Sequence, residues 1–350
     1  MKRREFLAAS AALSLAGPAM ATPPLHVRPE EGPHEATFMM WPVNRTVHPD
    51  GEFLDILQQT IADIANSIVE FEPLVMLAAP SDQARAKQML SGKVELWDIP
   101  TEDLWARDAG PLIAHQGSKR VVSHIQFNGW GKKQVHTRDS QVAAKIADHL
   151  GFDLMSSGLK GEAGGVEHDG HGLLMAHESS WVNKNRNPGQ SRAEVEQRLL
   201  KAYGAERMIW SKGVYGEDIT DYHIDSLARF TGANSALINL PDNPDWEDPF
   251  HAAAYETHDS LEKAGVRLDV IPEPEYRRVK GIEFVASYAN YYACNGAVIA
   301  AEFGDRETDK LARKALARHY PGREIITLNV DALGEVGGGI HCATQQLPSA

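Results

Sequence analysis

The chain has only two cysteines, Cys294 and Cys342, among 350 residues, too few for the disulfide frameworks that hold small secreted domains together. It is short of positive charge, with 35 Lys and Arg against 48 Asp and Glu and a net charge of -13. That balance excludes the basic footprint of a nucleic-acid binder and suits a cationic small molecule better. No Gly-x-Gly-x-x-Gly follows the first strand pattern and no Walker-type loop occurs, so nucleotide binding has no motif behind it. Behind the N-terminus no apolar run is long enough to span a membrane, and no repeat of fixed period is visible. A hydrophobic content of 43% is enough for a sizeable core. With no Ser- or Gly-rich linker to divide it, the stretch 22–350 reads as one domain.

The first 21 residues, "MKRREFLAASAALSLAGPAMA", carry the pair Arg3 and Arg4, then Phe6 and Leu7, an Ala- and Leu-rich run, and Ala19-Met20-Ala21. That order predicts a Tat-type signal cleaved after Ala21, a periplasmic or secreted mature chain, and no membrane association once the signal is removed. An amphipathic N-terminal helix is the alternative. Export gives the cysteines two readings: a Cys294–Cys342 disulfide, or one functional thiol and a buried bystander.

Apolar runs and helical patterns alternate along the rest of the chain, which places it among α/β architectures. Residues 52–71 have helical spacing, and 73–79 form a continuous apolar strand followed by a helix capped near Ser81. "ELWDIP", "VVSHIQFNGW", "RMIW", "SALINL", "VRLDVIP", "GAVIAAEF" and "EIITLNV" read as further strands, with helices at 139–150, 191–204, 255–264 and 306–319.

Four polar clusters stand where strand runs end, the usual place for sites in α/β folds. "DLWARDAGP" holds Trp105, Arg107 and Asp108; a surface ion pair explains it as well as a site does. "GEAGGVEHDGHGLL" packs Glu162, Glu167, His168, Asp169 and His171 together. Its spacing matches no zinc signature, and Asp169-Gly170 reads as a hairpin turn, so no metal is expected. In "DITDYHIDSLARF", Asp221, His223 and Asp225 alternate, which on a strand puts all three on one face. A histidine flanked by carboxylates is oriented and more basic, as an acid/base needs. "GGGIHCATQQLP" places Cys342 after three glycines, either presented to a ligand or small and buried at a strand end.

Together the clusters offer one thiol, one or two histidines and several carboxylates. Carboxylates select a cation, and a planar guanidinium pairs with them through parallel hydrogen bonds. A thiolate can attack its central carbon, and a water activated by histidine can resolve the adduct.

"HEATFMMWP", "WARDAGP", "FNGWGKK", "NRNPGQSRAEVEQRL", "DYHIDSLARF", "NYYACNGAVIAAEFGD" and "GGGIHCATQQLP", in that order, resemble the agmatine deiminase and bacterial-type peptidyl-arginine deiminase family over about residues 28–348. The resemblance implies a five-bladed, pseudo-fivefold α/β propeller, the pentein fold, and guanidine deimination without a cofactor. Matched position by position, it implies Cys342 as nucleophile, His223 as general acid/base, Asp108 and Asp225 as guanidinium clamps, and Glu162 close to His223 and the substrate. Trp105 and Trp41 fall at aromatic positions near the pocket. The implied partner is a cationic guanidino small molecule, with agmatine first, peptidyl-arginine and free arginine as alternatives, and a homo-oligomer open. The glycines before Cys342 would let the backbone approach the bound guanidinium, with His341 a structural neighbour. The chain departs from the family at Ala163, at Tyr222 where a glycine is usual before the histidine, at Ala301, and at His168 and His171. A rival from another class is a periplasmic guanidino-ligand binding protein with Cys342 locked to Cys294.

Overall fold

The structure is a computed structural model that describes residues 23–281 and 284–350; the predicted signal, 1–21, lies outside the described residues. Five sheets follow one another along the chain in a mixed α/β fold. Three consecutive sheets share one unit, an antiparallel pair followed, across a helical crossover, by a parallel third strand. They are Val166–His168, Leu173–His177 and Arg207–Ser211; Ala228–Gly232, Ser235–Leu240 and Arg267–Pro272; and Tyr292–Cys294, Ala297–Glu302 and Glu324–Asn329. Ile113–Gln116, Lys119–Gln126 and Asp153–Lys160 repeat it with the short strand Leu25–His26 added at the edge. In the remaining sheet the last strand, Gln345–Pro348, pairs antiparallel with His34–Met40, so the end of the chain closes onto its beginning. Leu74–Leu77 and Glu95–Trp97 complete that sheet in parallel. The unit recurs without a sequence repeat because sheet and crossover need only apolar patterning, not identical residues.

Local chemistry accounts for the elements. Asp50 caps the helix Gly51–Ile68 by accepting from the backbone of Glu52 and Phe53, and the helix buries Leu57, Ile61, Ile64 and Ile68. Ser191 and Glu194 form a capping box on Arg192–Tyr203. Two expectations need correcting. Ser81 is not a cap: the helix Pro80–Met89 starts at Pro80, with Ala79 at its N-cap and no side-chain bond there, because proline is preorganised for the first helical position. And 220–227 is no strand. Asp221 and Tyr222 lie in the left-handed region at φ 58° and 64°, and Ile224–Ser226 is a single 3-10 turn.

That turn breaks the period-two argument. Asp221 faces Arg186 and Lys133, whereas His223 faces Asp108 and Glu162 and Asp225 faces His341. Tyr222 points away from them, stacked 4.6 Å from His177 and edge-on 5.0 Å from Phe250 in a separate core cluster.

Candidate active site

Each of the five links between consecutive sheets contributes to one polar cluster. Link 98–112 carries Asp108, 161–165 carries Glu162, 212–227 carries His223 and Asp225, 273–291 carries Asn290, and 330–344 carries His341 and Cys342. Links are free of ladder hydrogen bonding and can aim side chains that strands would have to alternate. The backbone ties two of them together, since the Arg107 N–H donates to the Cys342 carbonyl at 3.0 Å.

Gly164 sits in the middle of the cluster. A Cβ there would lie 2.8 Å from Asp108 Oδ1, 2.9 Å from His223 Nδ1 and 3.1 Å from Asp225 Oδ2, so this glycine is required by close approach. Asp108 Oδ2 accepts from the Trp130 indole at 2.8 Å, and its Oδ1 accepts from the Gly164 N–H at 3.3 Å. Burial, reinforced by Glu162 and Asp225 and opposed by His223, raises the Asp108 carboxyl to about 6. His223 Nε2 lies 3.2 Å from Glu162 Oε2 and its Nδ1 3.8 Å from Asp108 Oδ1. Burial works against its proton, but Asp108, Glu162 and Asp225 outweigh burial and lift it to about 9. Glu162 is itself gripped by Arg186 Nε through both oxygens, at 2.8 and 3.1 Å, and Arg186 is fully buried with its other side on Asp221 at 2.6 Å.

Cys342 is partly exposed. Its sulfur lies 3.2 Å from Asn290 Nδ2 and 3.6 Å from Asp225 Oδ2. Burial first, then the charges of Asp225 and Asp108, hold the thiol well above its usual range. Asp225 is wholly buried. Its Oδ2 accepts from His341 Nδ1 at 2.7 Å, while its Oδ1 has no hydrogen-bond partner. A buried carboxylate oxygen without a donor among the described residues is costly, and the same carboxylate meets the Cys342 thiol through its other oxygen. Carboxylates so placed can pair with a cation next to a thiol.

The structure therefore brings Asp108, Glu162, His223, Asp225 and Cys342 together as the sequence suggested. Trp105 is nearly buried and packs on Gly338, where a Cβ would be 2.5 Å from its ring. Trp41 is wholly buried in the same core cluster, against which Cys342 also packs, and its indole N–H has no acceptor. The glycine run needs a different explanation from the one expected: Gly338 makes room for Trp105 and Gly339 for Asn290, whose Oδ1 would lie 2.5 Å from a Cβ. The disulfide alternative does not match the structure either. Both thiols are free, and Cys294 is fully buried in strand Tyr292–Cys294 with its sulfur 3.5 Å from the Ala297 carbonyl. The turn reading of Asp169 holds, its Oδ1 accepting from His171 and Leu173, while burial pushes His168 down to about 4.

Sequence reasoning assigned no role to Asn290, Trp130, Arg186 or Glu30. The first three lie inside the stretches that carry the family resemblance, which was the available signal; Glu30, in "RPEEGP", had none.

Residues 26–348 match the family described as Porphyromonas-type peptidyl-arginine deiminase. A protein of Streptomyces coelicolor named "Putative agmatine deiminase" is 32% identical over 332 residues, covering 91% of this chain and 98% of that one. The solved agmatine deiminase of Enterococcus faecalis superimposes with a TM-score of 0.84 at 24% identity, over 93% of this chain and 96% of the other. The fold extends to the DDAH of Pseudomonas aeruginosa, at a TM-score of 0.52 and 11% identity over 90% and 99% of the two chains. With nearly all of the described chain matched end to end, the protein belongs to the Porphyromonas-type peptidyl-arginine deiminase family.

Proposed function

We propose that the chain deiminates a small guanidino compound through a covalent adduct on Cys342, with agmatine the first substrate, giving N-carbamoylputrescine and ammonia. Family membership makes it a hydrolase acting on the carbon–nitrogen bonds of linear amidines. The observation that carries the finer reading is the convergence of buried Asp108, Asp225 and His223 on Gly164, with the Cys342 sulfur 3.6 Å from Asp225 Oδ2.

Asp108 and Asp225 hold the cation across its nitrogens. Its charge offsets the two carboxylates that keep the thiol protonated, so Cys342 loses its proton to solvent and the thiolate attacks the central carbon. His223, protonated at neutral pH, gives its proton to the nitrogen that leaves as ammonia, and a thiouronium remains on the sulfur. Neutral His223 then takes a proton from the attacking water. Collapse of that adduct breaks the carbon–sulfur bond and releases thiolate and ureido product, and the last proton ends on ammonia as ammonium.

We read the five sheets as blades of a closed pseudo-fivefold propeller with the cluster on its axis. The support is the recurring unit, one contributing link per unit, and the pairing of the last strand with the first long one. The mature enzyme is proposed to start at residue 22 and to work in the periplasm or outside the cell, on the strength of the twin-arginine pattern.

Ammonia release from agmatine, free arginine and arginine-containing peptides tests the reading. Agmatine is expected to give the highest kcat/KM; turnover of peptides alone would replace the substrate, and no ammonia from any of the three would end the proposal.

A further inference from the structure

His341 sits next to the nucleophile in sequence, yet its ring faces away from the acid/base pair. Nδ1 is 2.7 Å from Asp225 Oδ2 and Nε2 is 2.9 Å from Glu30 Oε2. Both nitrogens meet carboxylate oxygens, which accept only, so both bonds form when both nitrogens carry hydrogen. Glu30 is anchored in turn. Its Oε1 takes the Ala293 N–H and an Arg229 N–H at 3.0 Å each, and its Oε2 also takes an Arg107 N–H at 2.8 Å. Arg229 continues to Glu167 at 2.7 Å, and Glu167 Oε1 lies 3.9 Å from His341 Nε2. All of these groups are buried.

The consequence appears when the two clamp carboxylates are compared. Asp108 and Asp225 share the same like-charged surroundings. For Asp108 burial outweighs the charge of His223 and raises the carboxyl to about 6. Asp225 is equally buried, but His341 first, then His223 and Arg229, more than offset burial and lower it below the usual aspartate range. His341 also decides the orientation. It engages Oδ2, the same oxygen that takes the Cys342 S–H at 3.6 Å. Without it the carboxylate would be free to rotate.

We propose that His341, braced by Glu30, is a positioning residue for substrate binding: it fixes the Asp225 carboxylate so that it meets a guanidinium in a single orientation. The inference rests on the reading that Asp225 takes a guanidinium.

The test is calorimetric titration of agmatine, arginine and an N-blocked arginine amide into full-length Cys342→Ser protein, which measures binding without turnover. On that background His341→Leu is expected to raise Kd about ten- to a hundredfold, the range for removing an outer hydrogen-bond partner of a ligating group. His341→Asn keeps an N–H directed at Asp225 and is expected to recover most of the loss at similar melting temperature. Glu30→Gln, which leaves His341 in place but removes its charged brace, is expected to fall between. A bulk structural role predicts instead that Asn and Leu are equivalent and that Kd of the folded protein is unchanged. Either result overturns the inference, as does an unaltered Kd in Glu30→Gln if the Leu variant does not fold. If the Cys342→Ser parent binds none of the three probes, the proposed function fails and takes this inference with it. Tight binding to the parent with no loss in the variants refutes only the role of His341.

Discussion

Asn290 holds Cys342 at both ends: its side-chain Oδ1 accepts from the Cys342 N–H at 3.3 Å and its Nδ2 lies 3.2 Å from the sulfur. The same Nδ2 donates to the Asp225 carbonyl at 3.2 Å, so one amide ties Cys342 to the link that carries Asp225. A hydrogen bond to a charged group contributes about 1.5–3 kcal/mol, more than the roughly 1 kcal/mol of a neutral one. The Nδ2 contact therefore matters most once the sulfur is a thiolate. Asn290→Ala is expected to lower kcat/KM for ammonia release by about ten- to a hundredfold, with a smaller loss of thermal stability. An activity loss that scales only with the loss of folded protein would assign Asn290 to packing.

The thiol is held protonated by burial and by Asp225 and Asp108, so it should react quickly only with electrophiles that bring a positive charge. At pH 7, 2-chloroacetamidine, which is cationic, is expected to alkylate Cys342 at least about tenfold faster than the neutral 2-chloroacetamide of the same size, following the thiolate fraction. Asp225→Asn should shrink the ratio. Peptide mass spectrometry after timed quenching reads both rates, and Cys294, fully buried, serves as the internal control.

Two titrations bound the pH profile. The folded Asp108 carboxyl loses its proton near 6 and His223 near 9. The proposed reaction needs Asp108 ionised to hold the cation and His223 protonated to release ammonia. For agmatine, whose guanidinium stays charged throughout, kcat/KM should rise through about pH 6 and fall through about pH 9. Weakening the carboxylate that supports the His223 proton moves the upper limb. Glu162→Gln removes a carboxylate that helps to hold the His223 proton, so the limb should shift to lower pH, measurable in steady-state rates between pH 5 and 10. An upper limb that stays in place would show that Glu162 does not act on the rate through His223.

Much of this site could be read from the chain because its reacting groups are unusual residue types at strand ends. Asp108, Glu162, His223 and Cys342 each stood out beside glycines or an aromatic, and the structure brings all four together. The geometry between them was not legible. The alternation of Asp221, His223 and Asp225 suggested a strand face, but two consecutive left-handed residues turn the chain and send Asp221 to Arg186. The glycines before Cys342 announced a close approach, yet the atoms approached are Trp105 and Asn290, distant in sequence. Glu30 was invisible because nothing local distinguishes a buried, fourfold-bonded glutamate from a solvated one. In the fold, strands and helices followed from apolar periodicity, whereas the closure of the first sheet by residues 345–348 is a long-range pairing that periodicity does not encode.

Tyr222 is the departure from the family pattern whose effect can be decided by magnitude. In the left-handed region a residue with a Cβ costs about 1–2 kcal/mol relative to glycine, which alone would make Tyr222→Gly stabilising. Its ring, however, is nearly buried between His177 and Phe250, and deleting a buried aromatic costs about 3–5 kcal/mol. Packing outweighs strain, so Tyr222→Gly should be less stable by about 2 kcal/mol in denaturant unfolding. The backbone bonds at this turn do not involve the ring: the Tyr222 carbonyl accepts from His177 and the His223 N–H donates to Thr220. His223 should therefore stay in place, with KM for the proposed guanidino substrate unchanged at a temperature where the variant is folded. A raised KM in folded Tyr222→Gly would mean that the ring reaches the substrate, against the direction in which it packs.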